Sequence, residues 1–240
     1  MIHGAGGRTP IVLVHGVGFG PETLAPLART LMAHAPVISL ARRGYGPRAG
    51  EPPAASVADH VNDVIAVLDD AGAERAVVAG MSGGATVALA LALRCPERVA
   101  AAVAHEPAVG SLAPELRGVV RGALSRGGGR ALLRVLAGAE TWCALTAGVT
   151  SALDASAALV EADAAAFLAF EPPLPAGPAH APLVCSVGER SSELRFTVAE
   201  RLAARTGAAV AIVPGCGHLP QLDAPAAFGQ LILDQTLVNV

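Results

Sequence analysis

One serine in this chain stands between two glycines, each two positions away: Gly80-Met81-Ser82-Gly83-Gly84. It follows an apolar run, 76–79, and opens an apolar stretch, 83–94, of helical character. That is the spacing of a nucleophile elbow, a strand-to-helix turn tight enough to expose the serine hydroxyl at the sheet edge. The glycines answer a steric need, because a side chain at either place would strike the neighbouring strand or helix. A serine hydroxyl is a poor nucleophile at neutral pH and requires a base within hydrogen-bond reach. His218, in Pro214-Gly215-Cys216-Gly217-His218 after the last apolar run, is the candidate base. His3, His34, His60 and His180 fall in terminal, helical or inserted positions and are set aside.

The elements that must hold these groups read as short apolar strands alternating with helices. Strands are expected at 11–14, 37–40, 76–79, 99–104, 183–187 and 210–213. Helices are expected at 23–34, from Ser56-x-x-Asp59 (a capping pair) to about 71, at 83–94, at 192–204, and from Asp223 to Leu237. Such alternation implies a parallel, doubly wound sheet, whose ligands bind beyond the carboxyl ends of the strands. His15, Ser82, Glu106 and His218 all sit at such ends. From Gly110 to about Pro182 the strands stop, and helical segments are separated by glycine and proline. The expected organisation is a core of residues 1-109 and 183-240 with a helical cap inserted at 110-182.

Composition narrows the function. At 240 residues with 52% apolar and 3% aromatic, the core must be built from Ala, Val and Leu. All 17 basic residues are arginine and the net charge is −3, which argues against nucleic acid as a partner. A Walker A loop is excluded because it needs a lysine, and Pro21 stands where a dinucleotide-binding turn would need its third glycine. No metal site is expected, because Cys95, Cys143, Cys185 and Cys216 form no CxxC pair. With no signal-peptide pattern and no long apolar span, the expected setting is cytoplasmic and away from membranes.

Taken together, the His15-Gly16 turn after the first strand, the elbow at Ser82 and the Gly215-x-Gly217-His218 loop resemble the α/β-hydrolase superfamily. Arg42-Arg43-Gly44-Tyr45-Gly46 is similar to that family's Arg-Gly-x-Gly loop, with Ala41 where an Asp is common. The resemblance implies an α/β-hydrolase fold with a small helical cap; the family's usual antiparallel strand pair has only ten residues before Ile11 to form in, so trimmed N-terminal strands are expected. It implies an oxyanion hole formed by the N–H groups of Val17 and Gly83, with His15 organising that loop. The family's usual acid position maps onto Ser191, which cannot serve, so the acid is sought among Glu106, Glu189 and Glu193. Glu106 is favoured, since some relatives, dehalogenases among them, carry their acid after the strand that follows the elbow.

The implied function is a serine hydrolase that cleaves an ester, thioester or lactone through an acyl-enzyme, without cofactor. A transferase, lyase or cyclase on the same scaffold, or a binding protein with a degenerate site, are the alternatives. His15, Met81 and Trp142 are expected to border the substrate, and the cap to shape its pocket. Arg117, Arg121, Arg126, Arg130 and Arg134 read as a solvated helix face, with a landing site for an anionic carrier as the alternative. Oligomeric state is left open.

Overall fold

The computed structural model describes residues 8–173 and 181–237, so His3, His180 and part of the expected 110-182 insertion lie outside the described residues. Six strands form one wholly parallel sheet: β1 (Ile11–Val14), β2 (Val37–Leu40), β3 (Ala76–Met81), β4 (Val99–His105), β5 (Leu183–Gly188) and β6 (Ala209–Val213). Their order across the sheet is β2-β1-β3-β4-β5-β6. The antiparallel strands that usually precede β1 in this fold are absent among the described residues.

Helices cover both faces because strand residues alternate sides. On one face Ile11, Leu13, Val77, Ala79 and Met81 pack with α1 (Ala25–Leu31) and α10 (Pro225–Leu237). On the other, Val12, Val14 and Val78 share a buried cluster with α2 (Val57–Asp70) and α3 (Gly83–Arg94), and α8 (Glu193–Thr206) covers β5. The expected capping pair is present: Ser56 Oγ accepts from the Asp59 N–H, and the Asp59 carboxylate accepts from the Ser56 N–H. The sequence places one helix at 23–34; its first turn is a 3₁₀ turn, Pro21–Leu24, because Pro21 and Pro26 break the regular ladder.

Between β4 and β5 lie α4 (Pro114–Ala137), α5 (Ala139–Ala144), α6 (Ala147–Ser156) and α7 (Val160–Leu168), with no strand among the described residues. The run α4 breaks at Gly127 and Gly128; Gly128 has φ +62°, a left-handed angle that glycine adopts freely. These helices share the core rather than forming one of their own: Leu132, Leu133, Val160 and Phe167 belong to the same buried cluster as Val14 and Val78. A short helix, α9 (Pro220–Asp223), precedes α10. Asp223 ends α9 instead of capping the last helix, since Pro225 starts that helix anew. No helix among the described residues is long and apolar enough to cross a membrane.

Candidate active site

The elbow at the end of β3 is under the expected steric control. A Cβ on Gly80 would lie 2.1 Å from the Gly84 carbonyl oxygen, and one on Gly84 would lie 2.1 Å from that of Val14. Ser82 itself has φ +55° and ψ −118°, a conformation that a non-glycine residue holds only when its surroundings impose it. Here they do: its N–H bonds the His105 carbonyl at 2.9 Å, and its carbonyl takes the Thr86 N–H at 3.1 Å.

Glu106 follows β4 directly and has φ +49°. Its N–H is fixed on the Ser186 carbonyl, 2.9 Å away on β5, so the side chain turns toward the end of that strand. Oε2 accepts from His218 Nδ1 at 2.7 Å. Oε1 accepts from the Gly188 N–H at 3.0 Å and from the hydroxyl of Ser191. Ser191, at the usual acid position, thus supports a carboxylate that has come from the neighbouring strand. Burial raises the cost of that charge, but the hydrogen bond from His218 and the nearby positive groups outweigh it and hold Glu106 far below the usual carboxylate range. The rival acids are elsewhere: Glu189 accepts from the Gly215 N–H at 2.8 Å, and Glu193 is exposed in the first turn of α8.

His218 is 8% exposed, and its Nε2 has no hydrogen-bond partner among the described residues. With Nδ1–H held by Glu106, Nε2 carries the free lone pair, and no hydrogen bond joins it to Ser82 Oγ among the described residues. The loop beneath it is anchored twice. The Gly217 N–H donates to Asp223 at 3.1 Å, and the Gly217 carbonyl faces His105 Nε2 at 3.1 Å. His105, whose other nitrogen meets Ser186 Oγ at 3.1 Å, is pushed down to about 4 by burial and stays neutral. Its role escaped the sequence reading, although a histidine on a strand otherwise made of Ala and Val was a signal.

The charge state of His218 yields a pH prediction. Burial and the Arg195 guanidinium lower its pKa, while Glu106 and Asp223 pull the other way without reversing the shift. For His218 to serve as a base it must be neutral, so with His218 in that role kcat/KM should stay level from pH 8 to 6.5 and fall only below the ordinary histidine value of about 6.5. A pH–rate profile with its acid midpoint above 7 would contradict this.

The turn after β1 carries the other expected groups. Neither the Val17 N–H nor the Gly83 N–H is hydrogen-bonded among the described residues. Gly83 opens α3, where N–H groups lack helical partners. The turn packs close to the elbow: a Cβ on Gly16 would lie 3.2 Å from that of Ser82. Arg42, fully buried, ties it down through bonds to the His15 and Gly16 carbonyls at 3.2 and 2.8 Å. The Arg42 N–H donates to His15 Nε2 at 3.1 Å, which leaves His15 Nδ1–H for the Gly16 carbonyl at 3.0 Å.

The counter-ion of Arg42 comes from α7. Asp163 accepts two bonds from the guanidinium, at 3.0 and 2.7 Å, and one from the Tyr45 hydroxyl. Tyr45 in turn accepts from the Gly18 N–H at 3.0 Å, and Ser156 Oγ donates to the Gly18 carbonyl at 2.8 Å. Two residues of the inserted helices therefore hold the turn that carries Val17. Asp163 was missed, though it shares helical spacing with the buried Val160, Ala164 and Phe167.

The three expected substrate contacts are corrected by this geometry. His15 is fully buried within the turn, and Met81 points into the α1/α10 face because β3 alternates. The Trp142 ring lies under Arg130, 5.4 Å away, and borders neither cavity at the site. Of the five cap arginines, Arg117 bonds the Leu168 carbonyl and Arg130 pairs with Asp154.

Two cavities meet at the site. One, about 400 Å³, is lined by Glu106, His218, Ser191, Arg190, Glu140 and Asp223 among others. The other, about 30 Å³, touches Ser82 and Val17 and is roofed by Leu132, Ala164 and Phe167. No cluster of three potential metal ligands occurs among the described residues.

Comparison with known proteins gives the site its context. The model of the alpha/beta hydrolase family matches residues 11–231. The candidate carbamate hydrolase RutD of Azorhizobium caulinodans is 40% identical over 98 residues, covering 41% of this chain and 36% of that one. The match thus spans only about a third of that relative's length. Among solved structures, the enol-lactonase from Burkholderia xenovorans LB400 aligns with a TM-score of 0.75 at 20% identity, over 99% of this chain and 95% of the other. The carboxylesterase CesB from Bacillus subtilis aligns with a TM-score of 0.75 at 22% identity, over 100% and 87%. At such identities these likenesses speak to fold alone.

Proposed function

The chain belongs to the alpha/beta hydrolase family, and from that premise we propose that it is a serine hydrolase acting on a carboxylic ester, thioester or lactone. The observation that carries this reading is the 2.7 Å bond from His218 Nδ1 to Glu106, with Nε2 left unpartnered at the end of the sheet where the strained Ser82 projects. In this mechanism His218 Nε2 takes the Ser82 proton as Oγ attacks the carbonyl carbon. The Val17 and Gly83 N–H groups receive the developing oxyanion, where each donor contributes roughly 10²–10³ in rate. Protonated His218, stabilised by Glu106, then returns the proton to the leaving alkoxide or thiolate. The same nitrogen activates water to release the acyl group. The description of the partly matched relative as a candidate carbamate hydrolase agrees with acyl chemistry of this kind.

The test is covalent. A small alkyl fluorophosphonate should add its phosphonyl mass to the tryptic peptide containing Ser82, and prior incubation with a slowly hydrolysed ester should protect it. Unmodified Ser82 after full exposure would remove the proposal.

A further inference from the structure

The 30 Å³ cavity at Ser82 is apolar apart from Ser82 and one other residue, Arg195. Arg195 also borders the 400 Å³ cavity at His218, so with Leu116 and Leu136 it forms the partition between the two. It is an odd residue for that place. It sits on α8 at helical spacing with the buried Val198, Ala199 and Leu202, and its side chain is only 14% exposed. A guanidinium so placed would ordinarily have its five donors bonded. Arg195 has no side-chain hydrogen bond among the described residues; its one charge contact is Nε to Glu106 Oε2 at 3.4 Å. Glu106 is already engaged by His218, Gly188 and Ser191. The other cation of the larger cavity, Arg190, is paired with Glu140 at 2.9 Å. Arg195 is therefore a positive group between the elbow and His218 that makes one ion pair and no side-chain hydrogen bond among the described residues.

We infer that Arg195 is a specificity residue, receiving the carboxylate of an ester or lactone substrate that carries one anionic group beyond its scissile bond. This deepens the proposed hydrolase function and rests on it. The planar fork matches a carboxylate, and a single negative charge balances a single guanidinium. A phosphate dianion would bring surplus negative charge beside Glu106. As it stands, the Ser82 cavity has room for one or two waters. A carboxylate that draws the Arg195 side chain toward the larger cavity would join the two spaces, seating the carbonyl at Ser82 and the anion among the polar groups.

Substrate pairs of equal length test the assignment. The monomethyl esters of succinate, glutarate and adipate are compared with methyl butyrate, valerate and hexanoate by pH-stat, and kcat/KM is expressed as an anionic-to-neutral ratio. At least one pair should favour the anion about tenfold or more in the wild-type protein. Arg195→Met should collapse that ratio by about 10- to 100-fold, the worth of hydrogen bonds to a charged group, and Arg195→Lys should restore part of it. A ratio unchanged in Arg195→Met, with both esters slowed together, would make Arg195 a mere support for Glu106 and overturn the inference while hydrolysis stands. Calorimetry with glutarate separates the opposite case. If no ester is cleaved yet glutarate binds the wild type and not Arg195→Met, the hydrolase reading falls and the anion site stands.

Discussion

Glu106→Gln should lower kcat by about 10⁴, with the loss expressed at every pH between 6 and 8. The amide has one oxygen and one NH₂, and the site decides where each goes. At the Oε1 position two donors converge, the Gly188 N–H and the Ser191 hydroxyl, so the amide oxygen belongs there. The NH₂ then replaces Oε2 and donates to His218 Nδ1, 2.7 Å away. Donation into Nδ1 forces the proton onto Nε2, and the nitrogen that accepts from Ser82 in the proposed mechanism becomes a donor. The imidazolium also loses its counter-charge. Steady-state kinetics on the best methyl ester measures the effect, and circular dichroism checks that the fold survives. Glu189→Gln and Glu193→Gln, which leave this contact intact, should stay within about twofold. A loss below tenfold in Glu106→Gln would mean that another group supports His218.

Asp163→Ala is the second large effect, and its main readout is stability. It strands the Arg42 guanidinium, which is fully buried and bonded to two backbone carbonyls it cannot leave without disturbing the turn before Val17. Removing one partner of a buried ion pair costs about 3–5 kcal/mol, a large share of the roughly 5–15 kcal/mol by which domains are stable. In a chain of this length each kcal/mol moves Tm by roughly 2–4 °C, so a fall of about 10 °C is expected in calorimetry. The double variant Asp163→Ala/Arg42→Met should recover part of the loss, since buried pairs replaced together by apolar groups are often near neutral. A single-variant loss under about 1 kcal/mol would show that Arg42 finds water or another partner.

What was legible in the chain was local. Ser82 could be read because both glycines fall within a five-residue motif, although only Gly80 meets its neighbour locally, at the Gly84 carbonyl, while Gly84 meets the Val14 carbonyl of β1, each at 2.1 Å. The central strands were visible as apolar runs because a parallel sheet is covered on both faces, as the wholly buried β1, β3, β4 and β5 are. Glu106 could be placed at a strand end as the acid for His218, but its other partners could not: Gly188 and Ser191 belong to another strand and its loop, 82 and 85 residues on. Asp163 and Arg195 were hidden for a different reason. A charged residue within a helix ordinarily faces water, and only their spacing with apolar neighbours marked the inward face. Trp142 misled in the other direction, since bulk suggested a pocket wall while Arg130 covers the ring.

The Arg42–Asp163 bond spans 121 residues of sequence and crosses from the sheet to the inserted helices. Its consequence reaches protein engineering. Hydrolases of this architecture invite the transplantation of caps as a route to new specificities. In this chain such a graft would remove the anion that steadies the turn before Val17, and Ser156 with it. A donor cap must bring a carboxylate to the position of Asp163, or the recipient must surrender Arg42 in the same step.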